Sequence, residues 1–190
     1  FNSGHKNTVK KFNGTSWVDV GNARFSAGTG TLAMYQSLAI DASGVPYLAF
    51  SDFSGSNSGK ATVMKFNGTS WVIVGSAGFS DGKATYISLK IDLSGVPYIA
   101  YRDDGNRYRT TVMKFNSTSW VGVGSPGFSD GTVVDTSLAF NPLGTPYVAY
   151  SDNGHSNKTS VMRFNGSAWV HVGTAGFSSE HAAFQSLAID

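Results

Sequence analysis

SLKIDLSGVPYIAYRDDGNRYRTTVMKFNSTSWVGVG, residues 88–124, is the stretch that decides the fold. Residues 88–92 alternate, with Leu89 and Ile91 on one face, as a half-buried strand does. The turn Leu93-Ser94-Gly95-Val96 leads into residues 97–101, which are apolar on both faces and read as a central strand. Pro97 is tolerated there because the first residue of a strand can forgo its donor. Residues 111–115 alternate again, and residues 119–123 follow with Trp120 at their head. The whole stretch reads as four short antiparallel strands, with no helical period.

The chain writes this unit nearly four times. The heading Trp falls at Trp17, Trp71, Trp120 and Trp169, at intervals of 54, 49 and 49 residues. A Ser-Leu pair recurs at Ser37, Ser88, Ser137 and Ser186, and a Pro-Tyr pair at Pro46, Pro97 and Pro146. The last two strands are linked by Asn13-Gly14, Asn67-Gly68, Asn116-Ser117 and Asn165-Gly166, and Asn-Gly between alternating strands is a strong hairpin signal. Four strands in a period of about 49 residues is the arithmetic of a β-propeller blade. The expected class is therefore all-β, a propeller of four-stranded antiparallel blades. Whole blades are expected at 37–74, 88–123 and 137–172, with a partial blade at 8–20 and a first strand at 186–190. Residues 2–5 resemble residues 152–155, so the chain enters mid-blade. Open ends expose unpaired strand edges. We therefore expect either a piece of a longer propeller, which is the preferred reading, or a ring closed by further copies of the chain as a homo-oligomer.

Twenty-three glycines and thirteen phenylalanines suit a β protein full of tight turns. A net charge of +2 with scattered basic residues argues against a nucleic-acid surface. No apolar run is long enough to span a bilayer as a helix, so no membrane insertion is expected. With no cysteine, disulfide and thiolate chemistry are excluded. His5, His155, His171 and His181 show no metal-ligand spacing, so neither a metal site nor a cofactor is expected. No nucleophile elbow or phosphate-cradling loop is present, and no catalytic residue is assigned.

In a propeller of the usual winding, the fourth-to-first and second-to-third connections share one rim, and variation among the copies concentrates there. Loops on a rigid scaffold are where binding usually sits. Asp52, Asp103 and Asp152 end the Pro-Tyr strand in each whole blade; each can reach a ligand on that rim or cap the following loop. Phe79, Phe128 and Phe177 begin the long connectors, as Phe25 does; such a ring can stack on a sugar or plug the gap between blades. Tyr86, just before a Ser-Leu pair, carries the same two readings. These seven residues are the candidate ligand-binding set.

With its Gly-Val/Thr-Pro-Tyr strand and Phe-Asn-Gly-Thr-Ser-Trp hairpin, the repeat resembles the tandem propeller repeats of large bacterial surface and secreted proteins. In architecture and repeat length it is also similar to the tachylectin-type propeller lectins. That resemblance implies an extracellular or cell-surface protein with one sugar site per blade near the blade junctions. Gly68-Thr69-Ser70-Trp71 resembles the tail of the sialidase Asp-box, but Phe66 stands where that motif has its Asp, so sialidase activity is not implied. The leading expectation is multivalent glycan recognition through repeated rim loops. The alternatives are a carbohydrate-active hydrolase or lyase using acids at the rim or axis, and a structural spacer or adhesion scaffold.

Overall fold

The computed structural model describes residues 6–26 and 33–190. Residues 2–5, with their likeness to 152–155, and the middle of the first connector lie outside the described residues. A hairpin of β1 (Lys10–Phe12) and β2 (Trp17–Asp19) precedes three four-stranded sheets. Blade 1 comprises β3 (Ala33–Ile40), β4 (Pro46–Asp52), β5 (Lys60–Phe66) and β6 (Trp71–Ile73). Blade 2 comprises β7 (Ala84–Ile91), β8 (Pro97–Asp103), β9 (Arg109–Phe115) and β10 (Trp120–Gly122). Blade 3 comprises β11 (Val133–Phe140), β12 (Pro146–Asp152), β13 (Lys158–Phe164) and β14 (Trp169–His171). Within each blade the strands lie in chain order and every pairing is antiparallel. No ladder joins one sheet to the next, and no α-helix occurs among the described residues. No helix there is long and apolar enough to cross a membrane.

The Pro-Tyr strands are buried almost throughout because each serves two cores. Successive side chains of a strand point to opposite faces. Ile99 and Tyr101 of β8 therefore enter the core shared with blade 1, while Tyr98 and Ala100 enter the core shared with blade 3. A third core, built on Leu48, Phe50, Met64 and Trp71, lies between blade 1 and the β1–β2 hairpin. The first strands pack on one another in succession and so lie innermost. The serine of each Ser-Leu pair explains its recurrence: Ser37 Oγ accepts from the N–H of Leu89 at 2.9 Å, and Ser88 Oγ from that of Leu138 at 3.0 Å.

Three local features depart from the sequence reading. The third and fourth strands are joined by four residues, not two: Phe66 pairs with Trp71 across residues 67–70. Asn67 Oδ1 accepts from the N–H groups of Thr69 (3.0 Å) and Ser70 (2.8 Å), so the side chain closes the wider loop. Gly68 takes φ +96°, and Ser117 is held at +78° in the copy that lacks the glycine. The first strands also begin four residues earlier than the Ser-Leu pairs, because a bulge interrupts each ladder before the serine. Its first residue is left-handed: Tyr35 (φ 53°), Tyr86 (51°) and Asp135 (55°). Residues 186–190, expected as a first strand, form no ladder. They nevertheless keep the strand's inter-blade contact, since Leu187 N–H donates to Ser137 Oγ at 3.0 Å.

Candidate functional site

Two of the junctions open on the rim that carries the first-to-second-strand turns and the third-to-fourth-strand hairpins. Between the β1–β2 hairpin and blade 1 lies a pocket of about 700 Å³, and between blades 2 and 3 one of about 390 Å³. Equivalent residues of the repeat line both. Lys11 and Val20 in the first correspond to Lys114 and Val123 in the second. Across from them stand Pro46, Lys65, Phe66 and Asn67 in the first, and Pro146, Arg163, Phe164 and Asn165 in the second.

The geometry follows from the hairpins. Each hairpin places a cation immediately before its Phe, and the later hairpin of each pair adds its Asn, Asn67 or Asn165, to the lining. Each pocket also holds a tyrosine, though from opposite sides: Tyr47 from the later unit, Tyr98 from the earlier. Lys114 Nζ lies 5.7 Å from the centre of the Tyr98 ring, and Tyr98 meets Phe140 edge-on at 5.0 Å. Burial, and after it the Asp41 carboxylate, pushes the Tyr47 hydroxyl above its ordinary pKa. Asp41 is the one acid among the lining residues of the two pockets, and its Oδ1 accepts from the N–H groups of Ser43 and Val45 at 2.9 Å each. Each junction pocket thus sets two aromatic rings beside two or more cations and a side-chain amide.

A third pocket, about 350 Å³, is bounded by the bulges of the innermost strands, with Tyr35, Tyr86, Asp135 and Phe184 at its edge. Tyr86 is flanked by Tyr35 at 5.1 Å and by the Arg102 guanidinium at 5.1 Å from its ring centre. Asp135 is its one lining carboxylate, and accepts the Phe184 N–H at 2.8 Å.

On the rim singled out by the sequence, the three aspartates are engaged by the protein itself. Asp52, Asp103 and Asp152 are buried, and protein donors fill their carboxylates. Asp103 Oδ1 accepts from Gly105 N–H at 3.0 Å, and its Oδ2 accepts from Asn106 Nδ2 at 2.8 Å and Thr111 Oγ1 at 2.9 Å. The connectors lie directly on these loops: a methyl group on Gly131 would stand 2.1 Å from the backbone nitrogen of Gly154. Phe79 stacks on Trp120 at 4.3 Å and Phe128 on Trp169 at 4.5 Å, filling the joints between blades. Phe177 is exposed, and Tyr86 lies in the innermost pocket. The seven candidates are thus not brought together into one site.

Sequence reasoning passed over the cations of the junction pockets. Their signal was present, since Lys11, Lys65, Lys114 and Arg163 each precede the hairpin Phe. It also passed over a convergence of histidines: the rings of His155 and His171 lie 6.3 Å apart, beside Asp130.

This architecture is that of a β-propeller, and solved structures share it. Over 90% of this chain and 59% of the other, the fold matches a Dyadobacter fermentans protein of unknown function, with a TM-score of 0.60 and 13% identity. A fucose lectin from Kordia zhangzhouensis matches over 74% of this chain and 99% of its own, with a TM-score of 0.50 and 14% identity. The α-L-arabinofuranosidase of Fusarium graminearum matches over 73% of this chain and 47% of its own, with a TM-score of 0.52 and 13% identity. The chain therefore spans nearly all of the lectin but about half of the arabinofuranosidase. No protein-family model matches the sequence, and no relative is found among curated proteins.

Proposed function

We propose that this chain is a multivalent glycan-binding propeller segment whose sites are the junction pockets on the hairpin rim. The observation that carries the reading is the recurrence of one lining set at two junctions: Lys11, Lys65 and Asn67 in one, Lys114, Arg163 and Asn165 in the other. A binding module repeats its site with its blade, whereas an enzyme concentrates its acids in one asymmetric pocket. Among the described residues, neither the junction pockets nor the innermost one is lined by two carboxylates.

Glycans come forward as the ligand class because each pocket pairs aromatic rings with cations and an amide. The fucose lectin and the arabinofuranosidase, which share the fold, are both carbohydrate proteins. Weak single sites gain strength when several engage one branched glycan or one coated surface. Such a role fits an extracellular or cell-surface protein.

The test is a broad glycan array probed with the isolated chain, wild type beside Lys114→Ala/Arg163→Ala. Selective binding that weakens in the double variant supports the reading. Silence across the array overturns it.

A further inference from the structure

We propose that Asp130, His155 and His171 form a binding site for a divalent transition metal of the zinc type, built into blade 3 alone. This site lies apart from the junction pockets and does not depend on the glycan reading. His155 Nδ1 lies 2.9 Å from Asp152 Oδ2. An ionised carboxylate only accepts, so Nδ1 carries the proton and the Nε2 lone pair is left for a metal. Asp152 is fully buried, so the imidazole is held from behind by a rigid carboxylate, the arrangement that orients histidine on zinc.

His155 Nε2 faces Asp130 Oδ2 at 3.9 Å, and His171 Nε2 approaches the same oxygen at 3.1 Å. Ligand atoms on a tetrahedral zinc stand about 3.3 Å apart, a value these two separations bracket. The two rings are inclined at 76°, and each has its Nε2 within 4 Å of the same Asp130 oxygen. In the metal-free chain His171 donates its Nε2–H to Asp130 Oδ2, while its Nδ1 has no partner, so metal binding would move that proton from Nε2 to Nδ1. Two imidazoles and a carboxylate favour zinc-like metals over magnesium or calcium, which prefer oxygen throughout. Asp130 is 52% exposed, which leaves water a way to the remaining position.

Comparison between blades shows that the propeller does not need these histidines. Blade 2 has Asp81, Asn106 and Gly122 at the corresponding places. There Asn106 Nδ2 donates to Asp103 Oδ2 at 2.8 Å, the contact His155 makes to Asp152. Asparagine thus serves the loop, and histidine adds a second nitrogen that faces outward. At the outer-strand position, Asp19, Ile73 and Gly122 are exposed, while His171 folds over Asp130. Two changes in the same blade, 16 positions apart in sequence, supply both nitrogens to one carboxylate.

The experiment is equilibrium dialysis of the untagged chain against Zn²⁺ alone, with His155→Asn and His171→Gly beside it. Both replacements copy blade 2, so circular dichroism and unfolding of the metal-free variants should match the wild type. The expected result is one equivalent of Zn²⁺ on the wild type and loss of that equivalent in each variant. Substitution by Co²⁺ should give the intense visible band of a tetrahedral centre. Absence of a stoichiometric metal, retention of it in either variant, or a weak octahedral cobalt spectrum would overturn the proposal.

Discussion

Trp120 donates its indole N–H to the main-chain carbonyl of Val74, 2.8 Å away, and so pins the outer strand of blade 2 to the chain that leaves blade 1. Trp71 does the same to Val20 and Trp169 to Val123, each at 2.7 Å. The blades share no ladder, so these contacts and the cores beneath them hold neighbours together. Trp120→Ala should destabilise the chain by about 3–5 kcal/mol through the cavity and the orphaned carbonyl. Trp120→Phe keeps most of the packing and should cost about 1–2 kcal/mol. Trp17, 67% exposed, should tolerate alanine within about 1 kcal/mol. Urea unfolding of the three variants gives the ranking.

Asp103 is expected to act on stability and not on recognition. Replacement by alanine strands the Gly105 N–H, the Asn106 amide and the buried Thr111 hydroxyl, and should cost about 3 kcal/mol. Asp103→Asn keeps an acceptor for Gly105 and lets the Thr111 hydroxyl rotate, so its loss should be smaller. Glycan binding by the folded Asp103→Asn chain should match the wild type. A binding defect with unchanged stability would instead place Asp103 in a ligand site.

The repeat made the architecture legible before any coordinates. Pro-Tyr strands, hairpin Asn residues and Trp intervals are requirements of the blade, so each copy restates them. Ser88 was visible as a fixed residue without a reason, because its partner is Leu138 in the next blade, 50 positions away. The bulges at Tyr35, Tyr86 and Asp135 were hidden because none carries the glycine that a left-handed residue favours. The aspartates that drew attention as rim ligands are buried caps. The cations of the junction pockets drew none, since one strand's alternation does not show which side chain meets the neighbouring blade. His155 and His171 sit on different strands, and only packing brings them to Asp130.

Tyr101 and Tyr150 make stability sensitive to alkali. Burial, and after it the neighbouring aspartates, holds both phenols well above the ordinary value of about 10. Below pH 10 both states keep the proton, and the stabilising difference is fully present. Above pH 10 the unfolded chain ionises while the folded one does not, so each tyrosine lowers stability by about 1.4 kcal/mol per pH unit until its folded pKa is reached. Tyr150 Oη is buried without a hydrogen-bond partner, and Phe50 fills the equivalent place in blade 1. Tyr150→Phe should therefore be neutral, or stabilising by up to about 1 kcal/mol, at pH 7. Between pH 10 and 11.5 it should lose stability less steeply than the wild type, as chemical unfolding at each pH would show.

The junction pockets make a prediction about site number that separates repeated recognition from a single centre. Lys114 and Arg163 flank only the pocket between blades 2 and 3, whereas Lys11 and Lys65 flank the one before blade 1. Removing one charged hydrogen-bonding group weakens a site by about 1.5–3 kcal/mol, on the order of 10–100-fold. With the best glycan from an array, calorimetry of Arg163→Ala should therefore show one site fewer at unchanged intrinsic affinity. Lys11→Ala/Lys65→Ala should remove a different site, and the combined variant should lose both. On a surface coated with the glycan, either single-pocket variant should dissociate faster, because avidity falls with each lost contact. If Arg163→Ala alone abolished all binding, the chain would hold one asymmetric site, and the repetition of the lining set would reflect blade packing instead of recognition.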